Sequence, residues 1–79
     1  MTARRKTKNQ FIVEFDREND GRWIAEISKL PGVMAYDTTK KKALQNVYAI
    51  ALRTLADGIE HGTTPRQVTQ LFEYGVARR

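Results

Sequence analysis

Apolar and polar residues alternate in two short segments near the start of the chain, residues 11–16 and 23–27. A period of two, with many aromatic and β-branched residues, predicts two β-strands. Asn19-Asp20-Gly21, which lies between them, suits the positive φ of a tight turn, so we expect an antiparallel hairpin. The side chains predicted to share one face are Phe11, Val13 and Phe15 from the first strand and Trp23, Ala25 and Ile27 from the second.

The pattern changes from a period of two to a helical period after the next turn. Leu30-Pro31-Gly32 predicts a type II turn, because proline fixes φ at the second position and glycine accepts a positive φ at the third. Residues 33–36 then predict a third strand. Apolar residues next recur every three or four positions, which predicts a helix over roughly 39–60, closed by His61-Gly62. Its apolar stripe would comprise Leu44, Val47, Tyr48, Ala51, Leu52, Leu55 and Ile59.

Alternation returns over residues 68–76, with Phe72, Tyr74 and Val76 on one side, and predicts a fourth strand; a short helix starting near Gln67 is the alternative. The order β-β-β-α-β defines an α+β fold: an antiparallel three-stranded meander, one helix and a final strand. One helix covers only one face of such a sheet. The other face would expose Ile12 and Ile24 among carboxylates, so we expect a homo-oligomer, a dimer or larger.

Composition limits the class of protein. The 79 residues support one domain, 11–79, after a basic flexible arm, 1–10. The absence of cysteine excludes disulfides, thiolate nucleophiles and cysteine-ligated zinc. No apolar stretch predicts a membrane span or a secretory signal, so we expect a cytoplasmic protein without a membrane partner. The net charge of +5 is uneven: residues 9–39 carry an excess of carboxylates, flanked by the basic arm and a lysine triplet at 40–42.

Several segments together resemble the HicB-like antitoxin family. They are Phe11-Ile12-Val13, the Asp20–Glu26 segment, Leu30-Pro31-Gly32-Val33 and the helix start with Ala43-Leu44 and Asn46. The resemblance covers roughly residues 11–60 and implies a prokaryotic protein with a partial, degraded ribonuclease-H-like fold of the same element order. It also implies a non-enzymatic antitoxin that binds and neutralises a small HicA-type mRNA-cleaving toxin. Many relatives also carry a DNA-binding segment after the fold, for which the residues after Pro65 are too few, so we do not expect autoregulation through such a domain.

If the toxin is basic, the acidic hairpin is the surface that we expect to bind it. Acidic side chains would cover the RNA-binding surface of the toxin. The residues assigned to this contact are Glu14, Asp16, Trp23, Glu26, Leu30 and Pro31.

Two other functions compete with this one. A nucleic-acid-binding oligomer would use its basic segments against phosphates; these residues are Arg4, Arg5, Lys6, Lys8, Lys40, Lys41 and Lys42, which are otherwise ordinary solvated side chains. An orphan HicB-like protein would have no toxin. We expect no catalytic residue, cofactor or metal site, because the carboxylates lack a further acid or histidine on the helix that would complete a two-metal site. The single histidine, His61, suits a structural role at the helix C-terminus.

Overall fold

The computed structural model describes residues 10–77, so the predicted arm, with Arg4, Arg5, Lys6 and Lys8, lies outside the described residues. Three strands form one antiparallel sheet in the order β1-β2-β3. They are β1 (Glu14–Arg17), β2 (Trp23–Glu26) and β3 (Met34–Asp37). The predicted meander is therefore confirmed.

Glycines close both hairpins where the sequence indicates. The β1–β2 loop has Gly21 at φ 89°, and its N–H donates to the carbonyl of Glu18 over 2.9 Å. Between β2 and β3, Gly32 has φ 81°, and the N–H of Val33 donates to the carbonyl of Leu30 over 3.0 Å, as in the predicted type II turn. The loop lengths set by these glycines fix the register of all three strands.

The predicted helix is α1 (Lys40–Glu60). Thr39 is its N-cap and accepts a hydrogen bond from the N–H of Lys42 over 3.1 Å, which satisfies one of the free donors of the first turn. The helix ends at the cap His61, followed by Gly62 at φ 96°. Nδ1 of His61 lies 2.8 Å from the carbonyl oxygen of Asp57. The helix C-terminus thus gives His61 the structural position that we expected.

Small side chains form the core between α1 and the sheet. Ala25 and Ala35 lie directly opposite each other on β2 and β3, and a row of helix residues covers them. Because these side chains are short, the helix and the sheet can approach closely. The fully buried residues are Ala25, Ile27, Val33, Ala35, Ala43, Val47 and Ala51, with Phe11, Phe15 and Trp23 packed at the margin.

Only part of the predicted helix stripe is buried. Val47 and Ala51 reach the core, whereas Tyr48, Leu52 and Ile59 are 51%, 63% and 40% exposed. A four-residue strand spans about 13 Å and a 21-residue helix about 31 Å, so the sheet cannot underlie the whole helix. The helix packs over β2 and β3, and one flank remains uncovered.

The predicted fourth strand over residues 68–76 is wrong. Residues 66–69 form a single helical turn, α2 (Arg66–Thr69), which is the alternative left open by the sequence. Pro65, at φ −63°, leads into it. The residues that follow have no strand beside them, and Phe72 is 70% exposed rather than in the core. An alternating sequence therefore does not by itself form a strand, which also requires pairing with a neighbouring strand.

Candidate protein-interaction face

The three candidate carboxylates of the hairpin lie together on one face of the sheet. Glu14 pairs directly with Glu26 across β1 and β2, and Asp16 pairs with Ile24. Because side chains alternate along a strand, these residues point away from α1, whereas Phe15 and Ala25 point towards it. We call this surface the open face; it consists of Glu14, Asp16, Ile24, Glu26, Met34 and Tyr36.

Apolar side chains of the third strand lie beside the carboxylates. Met34 is opposite Glu26 and Tyr36 is opposite Ile24. Met34 and Tyr36 are 36% and 40% exposed. A shallow depression is lined by Glu14, Asp16, Ile24, Glu26 and Met34. Apolar groups rimmed by charge are typical of surfaces that contact another protein.

The open face carries negative charge without compensation. Within residues 10–77, Glu14, Asp16 and Glu26 form no ion pair. Like charges directly opposite across two strands destabilise a sheet, so the Glu14–Glu26 pair costs folding energy. Such a cost is expected where the surface serves a contact rather than the fold.

One ion pair lies at the turn end of the open face. Nε of Arg22 is 2.8 Å from Oδ2 of Asp20, and the Arg22 guanidinium is 5.0 Å from the centre of the Tyr36 ring. The backbone N–H of Arg22, with its side chain and charge, lowers the pKa of Asp20 below its ordinary value, and this outweighs the opposing loss of hydration. Asp20 is therefore already paired with a cation within the loop, whereas Asp16 accepts only a backbone hydrogen bond, from the N–H of Arg17 over 2.7 Å.

Trp23 lies on the opposite side of the sheet from these carboxylates. Its ring meets Phe15 edge to face, with centroids 6.3 Å apart. Two cations flank it: the Arg17 guanidinium at 4.6 Å and the Lys40 ammonium at 5.5 Å from the ring centre. The structure therefore does not bring Trp23 together with Glu14, Asp16 and Glu26.

The two remaining candidates for toxin contact are in the β2–β3 turn, and they differ in exposure. Leu30 is partly buried against the core, whereas Pro31 is exposed. The turn lies beyond Glu26 at the end of the second strand. Pro31 can therefore extend a contact from the open face, while Leu30 serves the fold.

The lysine triplet occupies the first turn of α1, where the structure shows no acidic residue. Lys40, Lys41 and Lys42 are all exposed, although the Lys40 ammonium lies 4.7 Å from the centre of the Phe15 ring. Cations at a helix N-terminus oppose the helix dipole. Together with Arg17 they make one end of the molecule basic, whereas the open face is acidic.

Sequence reasoning placed Ile24 on this face but missed the apolar contribution of β3. Met34 and Tyr36 appeared only as residues of a short third strand. The signal for their placement was present in the loop lengths, which set the register of the strands. In residues 10–77, no three His, Cys, Asp or Glu side chains are grouped as they would be around a metal ion.

None of the helices described is long and apolar enough to cross a membrane. Comparison of the chain with protein-family models, with curated proteins and with solved structures gives no match.

Proposed function

We propose that this protein is a cytoplasmic HicB-like antitoxin that binds and neutralises a small HicA-type mRNA-cleaving toxin, without catalysis of its own. The open face carries this proposal, because three carboxylates that form no ion pair within residues 10–77 lie beside exposed apolar side chains there. A nuclease toxin needs a basic surface to hold RNA phosphates. The proposal includes a partial ribonuclease-H-like fold and assembly into a homo-oligomer.

Inhibition would follow from masking of the toxin surface. Glu14, Asp16 and Glu26 would meet the cations that otherwise hold phosphate, and Ile24 and Met34 would be buried beside them. Complementary charge accelerates association and excludes wrong partners. Burial of the apolar neighbours would then slow dissociation. Trp23 lies on the other side of the sheet and is left out of this contact.

An affinity pull-down from lysate of the source cells tests the proposal. The tagged chain is used as bait, with half of the lysate treated with nuclease. We expect a small basic protein in both halves, and we expect that protein to cleave mRNA when it is freed from the bait. Capture of nucleic acid alone, which nuclease removes, would contradict the antitoxin function. Capture of neither would indicate an orphan HicB-like protein.

A charge-reversed bait then tests the position of the contact. Glu14→Lys with Glu26→Lys reverses the open face and should weaken toxin binding at least tenfold. The matched control, Asp57→Lys with Glu60→Lys, makes the same change of charge at the far end of α1 and should bind as the parent does. Equal affinity of both variants would remove the open face from the contact.

The basic end of the molecule favours one alternative function, nucleic-acid binding by an oligomer. The lysine triplet and Arg17 would contact phosphates there, with the N-terminal arm as a further basic segment. Affinity should then fall steeply with salt and with deletion of residues 1–8. Lys41→Glu with Lys42→Glu should abolish binding to a single-stranded oligonucleotide, whereas Arg53→Glu, farther along α1, should have little effect.

A further inference from the structure

We propose that residues 72–77 of one copy add as a fourth strand to the free edge of β1 in a second copy, and that the exchange is reciprocal. This inference rests on the homo-oligomer part of the proposed function and specifies its interface. It does not depend on the toxin.

The donor is the segment after α2. Phe72, Tyr74 and Val76 alternate with less apolar residues and are 70%, 100% and 95% exposed. Within the described residues, the backbone of residues 73–77 makes no hydrogen bond. Large apolar side chains at every second position, together with free backbone donors and acceptors, are what an added strand supplies to a sheet edge.

The receiving edge is β1. It is an outer strand of the sheet. Its helix-side residue Phe15, and Phe11 and Val13 in the segment just before the strand, are only partly buried. The helix lies over β2 and β3 instead. An uncovered edge with apolar side chains beside it is an exposed pairing site.

The bare flank of α1 faces the same edge. The Asn46 amide donates to Asp37 of β3 over 3.2 Å, so that flank of the helix is turned towards β3. At 100° per residue, Tyr48 and Leu52 lie on the opposite flank, towards β1. The exposed flank of α1 and the helix side of β1 thus form one apolar corner, which the side chains of an added strand would fill.

A second copy of the chain provides a pairing partner for both the donor segment and the β1 edge. In one chain the donor segment and the β1 edge both remain open, and a two-fold axis pairs each donor with the other copy's edge. The two donor aromatics bury about 150–250 Å² each when enclosed. The two exchanged segments and the surfaces that receive them therefore bury a total area of roughly 1,200–2,000 Å², which is that of a stable interface.

Light scattering and sedimentation velocity on the full chain test the exchange. We expect two chains per particle at micromolar concentration. Tyr74→Asp with Val76→Asp should lower the association constant at least tenfold while the far-ultraviolet circular dichroism of α1 is kept. Thr63→Asp with Thr64→Asp adds the same charge outside the segment and should leave the dimer unchanged.

A paramagnetic label distinguishes exchange from closure on the same chain. Because the chain lacks cysteine, Ile12→Cys carries a unique spin label beside β1. When the spin-labelled chain is mixed with isotope-labelled parent chain, exchange should broaden the amide NMR signals of residues 72–77 in the parent chain. A dimer without this broadening, or one insensitive to the Tyr74/Val76 variant, would overturn the exchange and leave the oligomer standing. A monomer at 100 μM would overturn both.

Discussion

The two faces of the sheet come from alternate residues of the same short strands, yet they differ in the size and charge of their side chains. Towards α1 lie Ala25, Ala35 and neighbours that are fully buried. Away from it lie Glu14, Glu26 and Met34, which are exposed. The helix side contributes to folding through burial, whereas the open face includes a like-charge pair that opposes folding. One face stabilises the domain and the other is available for contact.

Enlarging a buried alanine should show the difference between the faces most strongly. Ala35→Leu inserts extra methylenes between the sheet and α1, where overpacking costs roughly 1–3 kcal/mol. Met34→Leu, its neighbour on the open face, keeps its volume and should change the free energy of unfolding by less than about 0.5 kcal/mol. Urea denaturation of both variants measures this. Similar costs for the two would contradict the assignment of the faces.

Features of the fold that depend on local chemistry were predictable from the sequence, whereas features that depend on distant contacts were not. The hairpin, the Leu30-Pro31-Gly32 turn and the bounds of α1 were predictable because local chemistry determines them: glycine at positive φ and a threonine cap. The extent of burial along α1 was not, since it depends on how far a neighbouring strand reaches. The segment after Pro65 has an alternating pattern, but pairing is a tertiary property, and within one chain the segment lies unpaired although the β1 edge is free.

The candidate site shows the same limit. Alternation placed Glu14 and Asp16 on one side of a strand, and the sequence also put Trp23 on the side of Ala25. Grouping Trp23 with the carboxylates followed from proximity along the chain, whereas the side of the sheet decides which residues can share a partner. The apolar contribution of Tyr36 needed the register of β3, which appears only when both turns are in place.

Reversing one charge on the open face should raise the stability of the fold and weaken toxin binding. Glu26→Lys turns the repulsive pair with Glu14 into an attractive one, so the free energy of unfolding should rise by about 0.2–1 kcal/mol. Toxin binding by the same variant should fall. Thermal denaturation at low salt measures the first effect, and 0.5 M salt should reduce it by screening. Unchanged stability would indicate that the two carboxylates do not interact.

Acid titration tests the edge of the helix side of the sheet, where Asp37 joins β3 to α1. The Thr38 N–H, 2.7 Å from Oδ1, is the main cause that lowers the pKa of Asp37 below its ordinary value of 3.8. The Thr38 hydroxyl, the Asn46 amide and the charge of Lys42 act in the same direction, and they outweigh the opposing loss of hydration. A pKa lowered by folding contributes stability above the ordinary value, which is lost as pH falls through the folded-state pKa.

Asp37→Asn should therefore be less stable than the parent at pH 7, and the difference should shrink as pH falls from 5 to 3. Asn46→Ala removes one donor only and should produce a smaller change in the same direction. Urea midpoints at pH 7, 5 and 3 measure both variants. Because Asp20 also has a lowered pKa, some acid sensitivity should persist in Asp37→Asn. A variant that kept the full acid loss of the parent would show that Asp37 does not couple folding to pH, and the bond to Asn46 would then hold the rim without the help of charge.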